Sequence, residues 1–158
     1  MKNYIAKRFQ NDGGTGLTLN TAALEKYSDI IDLSIGDTDF TTDEAIIDAA
    51  FRDARAGHTH YGAPRGDAEL IAACCRAWEE DFGQKLDRDH VVVTASSCMG
   101  MALSMMAILD PGDEVIVFAP YFSMYKKQVE LAGGVCVEVP TYAEEDYAID
   151  AERLRAAI

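Results

Sequence analysis

The chain has 158 residues, 49% of them apolar and 26% charged, enough for one domain with its own core and too apolar for a disordered polymer. A formal net charge of −13 argues against a nucleic-acid partner, because a phosphate backbone demands a cationic face. The first twenty residues hold Lys2, Lys7, Arg8 and Asp12 without an apolar run, so no secretory leader is expected, and the run from Met99 to Leu109 is too short to cross a bilayer. Cys74, Cys75, Cys98 and Cys136 have neither C-x-x-C nor zinc spacing, which points to reduced, buried thiols in a cytoplasmic protein with no membrane partner.

In chain order, residues 1–20 read as an arm or loop, with "NDGGTG" as a turn cluster. Ile30 to Ile35 reads as a short strand ended by Gly36 and Asp37. Thr41 and Glu44 have the spacing of a capping box, and a helix follows to a stop at Gly57. "HTHYGAPRGD" reads as an extended loop. A second helix starts near Asp67 and ends at Gly83; Leu70, Cys74, Trp78 and Phe82 recur every four residues as a stripe expected to face a core. Val91 to Val93 reads as a buried strand. The helix from Cys98 to Leu109 is apolar all round and is expected to be buried, with Gly100 marking a close backbone approach. "DPGD" is a turn, Glu114 to Phe118 a strand, Tyr121 to Leu131 a helix stopped by Gly133 and Gly134, and Val135 to Val139 a strand. Asp150 caps a last helix. Strand and helix alternating over short connections predict an α/β fold, with a mostly parallel sheet and flanking helices.

Two turns have chemical potential. In "VVVTASSCMG" a strand ends, a small polar turn follows and a helix begins. The N–H groups of a first helical turn have no intrahelical acceptor and sit at the positive end of the dipole, so Ser96 and Ser97 stand either as an ordinary N-cap or as an anion cup. In "APYFSMY" one ring of Tyr121, Phe122 or Tyr125 could stack on a planar ligand at a strand end, or all three could be core and rim residues. No Walker loop, G-x-G-x-x-G or G-x-S-x-G occurs, which sets aside the common nucleotide loops and the serine hydrolases. His58 and His60 lack a third ligand nearby and read as loop residues rather than a metal site. Tyr61 and Arg65 have polar tips that could reach a phosphate. Lys126 and Lys127 read as a solvated face.

Taken together, "LSIGDTDF", "HYGAPRGDAEL", "VVVTASSCMGM", "DPGDEVIVFAPYFSMY" and "LAGGVCVEVP" occur in the order found in class I/II aminotransferases, and the chain resembles that family from about Ile30 to Ile158. The resemblance implies a pyridoxal 5'-phosphate enzyme of fold type I. It also implies residues 1–40 as an arm and small-domain segment, and residues 41–158 as the incomplete first half of the large, cofactor-binding domain. By position, Ser96, Ser97 and Cys98 match the cofactor phosphate cup, and Phe122 the ring stacked on the pyridine, with Tyr121 as the other register. Tyr61 matches the tyrosine that reaches the phosphate of the neighbouring subunit in a homodimer, and Gly36 the glycine near the substrate carboxylate. Ser96 departs from the glycine of many relatives and would be strained in a turn needing positive φ; Cys98 is a weak donor.

The same resemblance implies an amino acid and a 2-oxo acid as substrates. The Schiff-base lysine, the carboxylate on the pyridine nitrogen and the substrate-binding arginine would lie beyond Ile158. No catalytic residue is therefore assigned within this chain, which is expected to be inactive alone. Carbon–sulfur lyases share these motifs and form the alternative, with a non-catalytic cofactor-binding remnant as a further one.

Overall fold

A computed structural model describes residues 4–6, 10, 26–27, 29, 31 and 36–158. The arm expected over residues 1–20 and the strand expected over 30–35 lie outside the described residues, apart from isolated positions. The chain divides into two compact units, residues 1–49 and 50–158, and the division falls inside the helix Glu44–Arg55.

Helix α1 spans Glu44–Arg55. Its cap is Asp43, not Thr41: Asp43 Oδ1 accepts from Ala45 N at 2.8 Å, and its carbonyl accepts from Ile46 and Ile47. Asp43 immediately precedes the first helical residue, where a short carboxylate reaches the free N–H groups better than a side chain two positions earlier. The helix stops as expected, with Gly57 N donating to Ala54 O and His58 N to Asp53 O.

Helix α2 spans Ala68–Phe82; Asp67 Oδ1 accepts from Glu69 N and Leu70 N at 2.9 and 3.0 Å, and Gly83 terminates it. The expected stripe does not face a core. Leu70, Cys74, Trp78 and Phe82 are exposed, and Ile71 is the residue the helix buries. Trp78 and Phe82 cover each other instead, with ring centroids 4.4 Å apart.

Residues 91–94 correct a second expectation. The backbone is extended (Val91 φ −116°, ψ 131°), yet it joins no ladder among the described residues; Val93 N donates to Arg65 O at 2.8 Å, and the Val91 carbonyl accepts from the Arg65 guanidinium. A β-branched run adopts strand dihedrals locally, but a strand also needs a neighbour to take its backbone groups.

Helix α3 spans Ser97–Ile108. Its expected burial is not observed: it buries no residue, and Met99, Met101, Leu103, Met106 and Ile108 are exposed. The close approach at Gly100 is present, because a Cβ there would lie 3.3 Å from Thr94 Oγ1. The Asp110–Asp113 turn follows, closed by Asp113 N to Asp110 O and by Asp110 N to Asp113 Oδ2.

Strand β1 (Glu114–Ala119), helix α4 (Met124–Leu131) and strand β2 (Val135–Pro140) form one parallel β-α-β unit in register Glu114 opposite Val135 through Ala119 opposite Pro140. Helix α4 begins three residues later than expected. Pro120 has a cis bond to Ala119, and Tyr121 and Phe122 lie in the turn before the helix. The helix closes at Gly133, whose φ of 92° suits glycine, with Gly133 N donating to Glu130 O and Gly134 N to Val129 O. Helix α5 (Ala151–Ala156) is capped by Asp150, as expected. Among the described residues the buried ones are few: Ile71, Val129, Val139 and Gln128.

Candidate functional site

The candidate cup is the start of α3. Ser96 is its N-cap: the Oγ accepts from Met99 N at 3.2 Å, and Thr94 Oγ1 donates to the Ser96 carbonyl at 2.8 Å. Ser96 has φ −169°, an extended conformation open to any residue, so the strain expected of a serine here does not arise. The backbone N–H groups of Ser97 and Cys98 have no acceptor among the described residues. They are the first two donors of a helix with no acidic residue in its first turn, and so remain free for an anion. Ser97 is exposed and Cys98 half-buried with a free thiol.

The second turn sorts its aromatic rings. Tyr121 donates its hydroxyl to Glu138 Oε1 at 2.8 Å and stacks on Tyr125 at 6.4 Å. Burial first, then the Glu138 hydrogen bond, pushes the Tyr121 phenol up to about 12. Phe122 makes an edge contact with Tyr125 at 5.8 Å and is 49% exposed. Lys126 is not merely solvated: its Nζ reaches Glu138 Oε1 at 3.0 Å, and that bond raises the ammonium pKa and lowers the carboxyl's. Lys127 pairs with Glu130 at 3.7 Å.

Tyr61 is fully exposed and has no hydrogen bond among the described residues. Arg65, four residues on, does not point to a ligand. Its guanidinium donates to Asp89 Oδ1 at 3.0 Å and to the carbonyls of Arg88, Asp89 and Val91. It therefore latches the Tyr61 loop to the segment leading into the cup. In the other unit, Gly36 is exposed, and a Cβ there would meet nothing within 4 Å.

Sequence reasoning missed Gln128. It is 5% exposed, and its Nε2 donates to the Cys98 carbonyl at 3.0 Å, tying α4 to the cup. A glutamine amid "YKKQVEL" looks like a surface residue, and no local signal distinguishes it. The Arg65 latch and the Tyr121–Glu138–Lys126 cluster join residues 12 to 26 positions apart, beyond any periodicity. Among the described residues, no group of three metal-ligating side chains occurs and no helix is long and apolar enough to cross a membrane.

An extended segment entering a helix with free N–H groups, followed by a parallel β-α-β unit with an aromatic turn at its strand end, defines an α/β domain, the class in which ligands sit at the carboxyl ends of strands. Residues 28–158 match the profile of aminotransferase class I and II, and the chain belongs to that family. It is 39% identical over 145 residues to the aspartate/prephenate aminotransferase of Thermus thermophilus, covering 90% of this chain and 38% of that protein. It is 34% identical over 137 residues to an aspartate aminotransferase of Thermotoga maritima, covering 87% and 36%. The aspartate aminotransferase of Thermus thermophilus with maleate superposes with a TM-score of 0.88 at 36% identity, over 100% of this chain and 42% of that one. The chain thus spans about two fifths of the length of these relatives.

The family uses pyridoxal 5'-phosphate, and the described residues fit such a group. The cup offers two uncommitted N–H donors for a phosphate, and Phe122 leaves half its surface open for a flat ring.

Proposed function

We propose that this chain is the cofactor-holding N-terminal portion of a pyridoxal-phosphate-dependent aminotransferase that moves an amino group from an amino acid to a 2-oxo acid. The observation that carries this reading is the pair of free N–H groups at Ser97 and Cys98, in a chain whose family uses this cofactor. Residues 1–40 serve as the arm and small-domain segment, and 41–158 as the incomplete large domain.

When bound, the cofactor supplies an electron sink for negative charge developing on the substrate carbon. Ser96, Ser97 and Cys98 would hold its phosphate: the helix dipole and the two N–H groups would favour the dianion, and the Ser97 hydroxyl would add a donor. Phe122 would offer its open face to the pyridine ring. This register is supported by Tyr121, whose hydroxyl is held by Glu138 and whose ring is stacked on Tyr125. Tyr61, exposed and without a hydrogen bond among the described residues, reaches the phosphate of a second copy, so a cytoplasmic homodimer is the working unit. Gly36 leaves its backbone open to a substrate carboxylate.

Aspartate, named in the relatives above, is the first amino donor to assay. The reactive lysine lies outside this chain, so the 158 residues alone do not transaminate. Lys126 and Lys127 are already paired with Glu138 and Glu130.

The test has two arms. The isolated chain, given cofactor, aspartate and a 2-oxo acid, should release no new 2-oxo acid; turnover would overturn its assigned inactivity. In the full-length enzyme, Tyr61→Phe should weaken cofactor retention, and unchanged retention would remove Tyr61 from the site.

A further inference from the structure

The peptide plane between Cys98 and Met99 is held at both ends. Its N–H, on Met99, donates to Ser96 Oγ at 3.2 Å. Its carbonyl, on Cys98, accepts from Gln128 Nε2 at 3.0 Å. A peptide group is rigid, so pinning both ends fixes its orientation, and the helical torsions of Ser97 and Cys98 carry that orientation to the two N–H groups just before it. The first pin is an ordinary serine cap. The second comes from another helix, thirty residues on.

Gln128 is a costly choice for that position. It is 5% exposed, and its Oε1 is buried with no hydrogen-bond partner among the described residues. An apolar side chain of similar size, such as methionine, would fill the space without leaving an acceptor unpaired. The amide cannot be turned over, because Oε1 would then face the Cys98 carbonyl, oxygen against oxygen. What the glutamine adds over a methionine is the bond to the cup.

We propose that Gln128 is a positioning residue for phosphate binding: by clamping the Cys98 carbonyl it aims the free N–H groups of Ser97 and Cys98 at an anion. This rests on the reading of that turn as the cofactor phosphate cup. Gln128 does not touch the ligand. It acts through Cys98, and its effect is confined to the phosphate.

The test compares pyridoxine 5'-phosphate with pyridoxine, which lacks the phosphate and, like its ester, has no aldehyde to react with surface lysines. Affinities of the 158-residue chain for both are measured by calorimetry, for the native sequence, Gln128→Met and Gln128→Glu. The native chain should prefer the phosphorylated ligand. Gln128→Met should cut that preference about tenfold, the worth of one good hydrogen bond, and leave the weak affinity for pyridoxine unchanged. Gln128→Glu should lose the preference at least as far as methionine at the alkaline end, where its carboxyl is ionised and repels the phosphate, and regain it, relative to the native chain at the same pH, once falling pH protonates the carboxyl and restores a donor. If Gln128→Met does not fold, that pH comparison decides alone. A full preference in Gln128→Met, an equal loss for both ligands, or no acid rescue would overturn the positioning role and leave the cup standing. No preference in the native chain would overturn the cup itself, and this inference with it.

Discussion

The Tyr121 hydroxyl donates to Glu138 Oε1 at 2.8 Å, and the Lys126 ammonium reaches the same oxygen at 3.0 Å. One carboxylate oxygen thus ties the aromatic turn and the first turn of α4 to strand β2. Burial and the neighbouring carboxylate raise the phenol from 10.0 to about 12. A raised phenol means the folded state holds its proton more tightly than the unfolded chain. That contribution is complete below pH 10 and is lost as pH climbs toward 12. Urea denaturation across this window should show stability falling in the native chain and falling less in Tyr121→Phe. Parallel curves would mean the phenol is not coupled to folding.

Glu138 has the opposite sign. Hydrogen bonds from Lys126 first, and Tyr121 second, hold its carboxyl below the ordinary value of 4.5. The stabilisation is present above that value and disappears as pH falls through the depressed one. Glu138→Gln should therefore flatten the acid limb of a stability curve. An acid limb as steep as the native one would assign the loss to other carboxylates, Glu145 beside Arg153 being the next candidate.

The two aromatic neighbours should separate by function. Tyr121→Phe loses one hydrogen bond, about 0.5–1 kcal/mol of stability, and leaves the ligand ring untouched. Phe122→Ala removes the proposed stacking surface. It should weaken pyridoxine 5'-phosphate and pyridoxine alike, by roughly fivefold to tenfold for a contact of 1–1.5 kcal/mol. Tyr121→Ala weakening both ligands while Phe122→Ala leaves them unchanged would shift the register by one residue.

Gly66 is the tightest point in the latch beneath the Tyr61 loop. Its φ is 116°, and an added Cβ would lie 2.5 Å from Val93 Cγ2 and 2.6 Å from Val93 Cβ. The clash is with the root of a branched side chain whose own N–H is bonded to Arg65 O, so neither side can yield cheaply. Gly66→Ala should cost about 2–4 kcal/mol, against almost nothing for Gly36→Ala, where a Cβ meets no atom within 4 Å. Equal denaturation midpoints for the two variants would show that the loop gives way.

Where one residue and its immediate neighbours decide the outcome, the sequence was readable. Asp67, Asp150, Gly83 and Gly133 mark helix ends because cap chemistry is local. The parallel pairing of β1 and β2 followed from a helix between two β-branched runs. Thr41 failed as a cap only because Asp43 stands closer to the helix. Val91 to Val93 and the stripe on α2 failed for another reason: strand pairing and burial depend on what lies opposite, and period says only which face is apolar. At the site, the serine turn was legible as a helix start, whereas Gln128, Arg65 and Glu138 act across the fold from unremarkable surroundings.

The uncovered helix leads to the last expectation. Helix α3 is apolar on every side, yet Met99, Met101, Leu103, Met106 and Ile108 are all more than a third exposed. Beside it, Met101 and Met105 join Tyr121, Tyr125 and Val129 around an open apolar pocket of about 320 Å³. Its remaining wall is Val115 to Phe118 without a gap. Successive strand residues point to opposite faces, so a pocket touching four in a row runs along the strand's edge. That is the edge of β1 away from β2, unpaired among the described residues. An open edge between apolar helices recruits another strand, and each large side chain left in water forfeits about 1.5–3 kcal/mol. The isolated chain should therefore self-associate at micromolar concentration, seen as a light-scattering mass above one chain. Val117→Lys, placing a charge on that edge, should shift the distribution toward monomer. A monodisperse monomer of the native sequence would mean the edge and the helix are covered from within the chain.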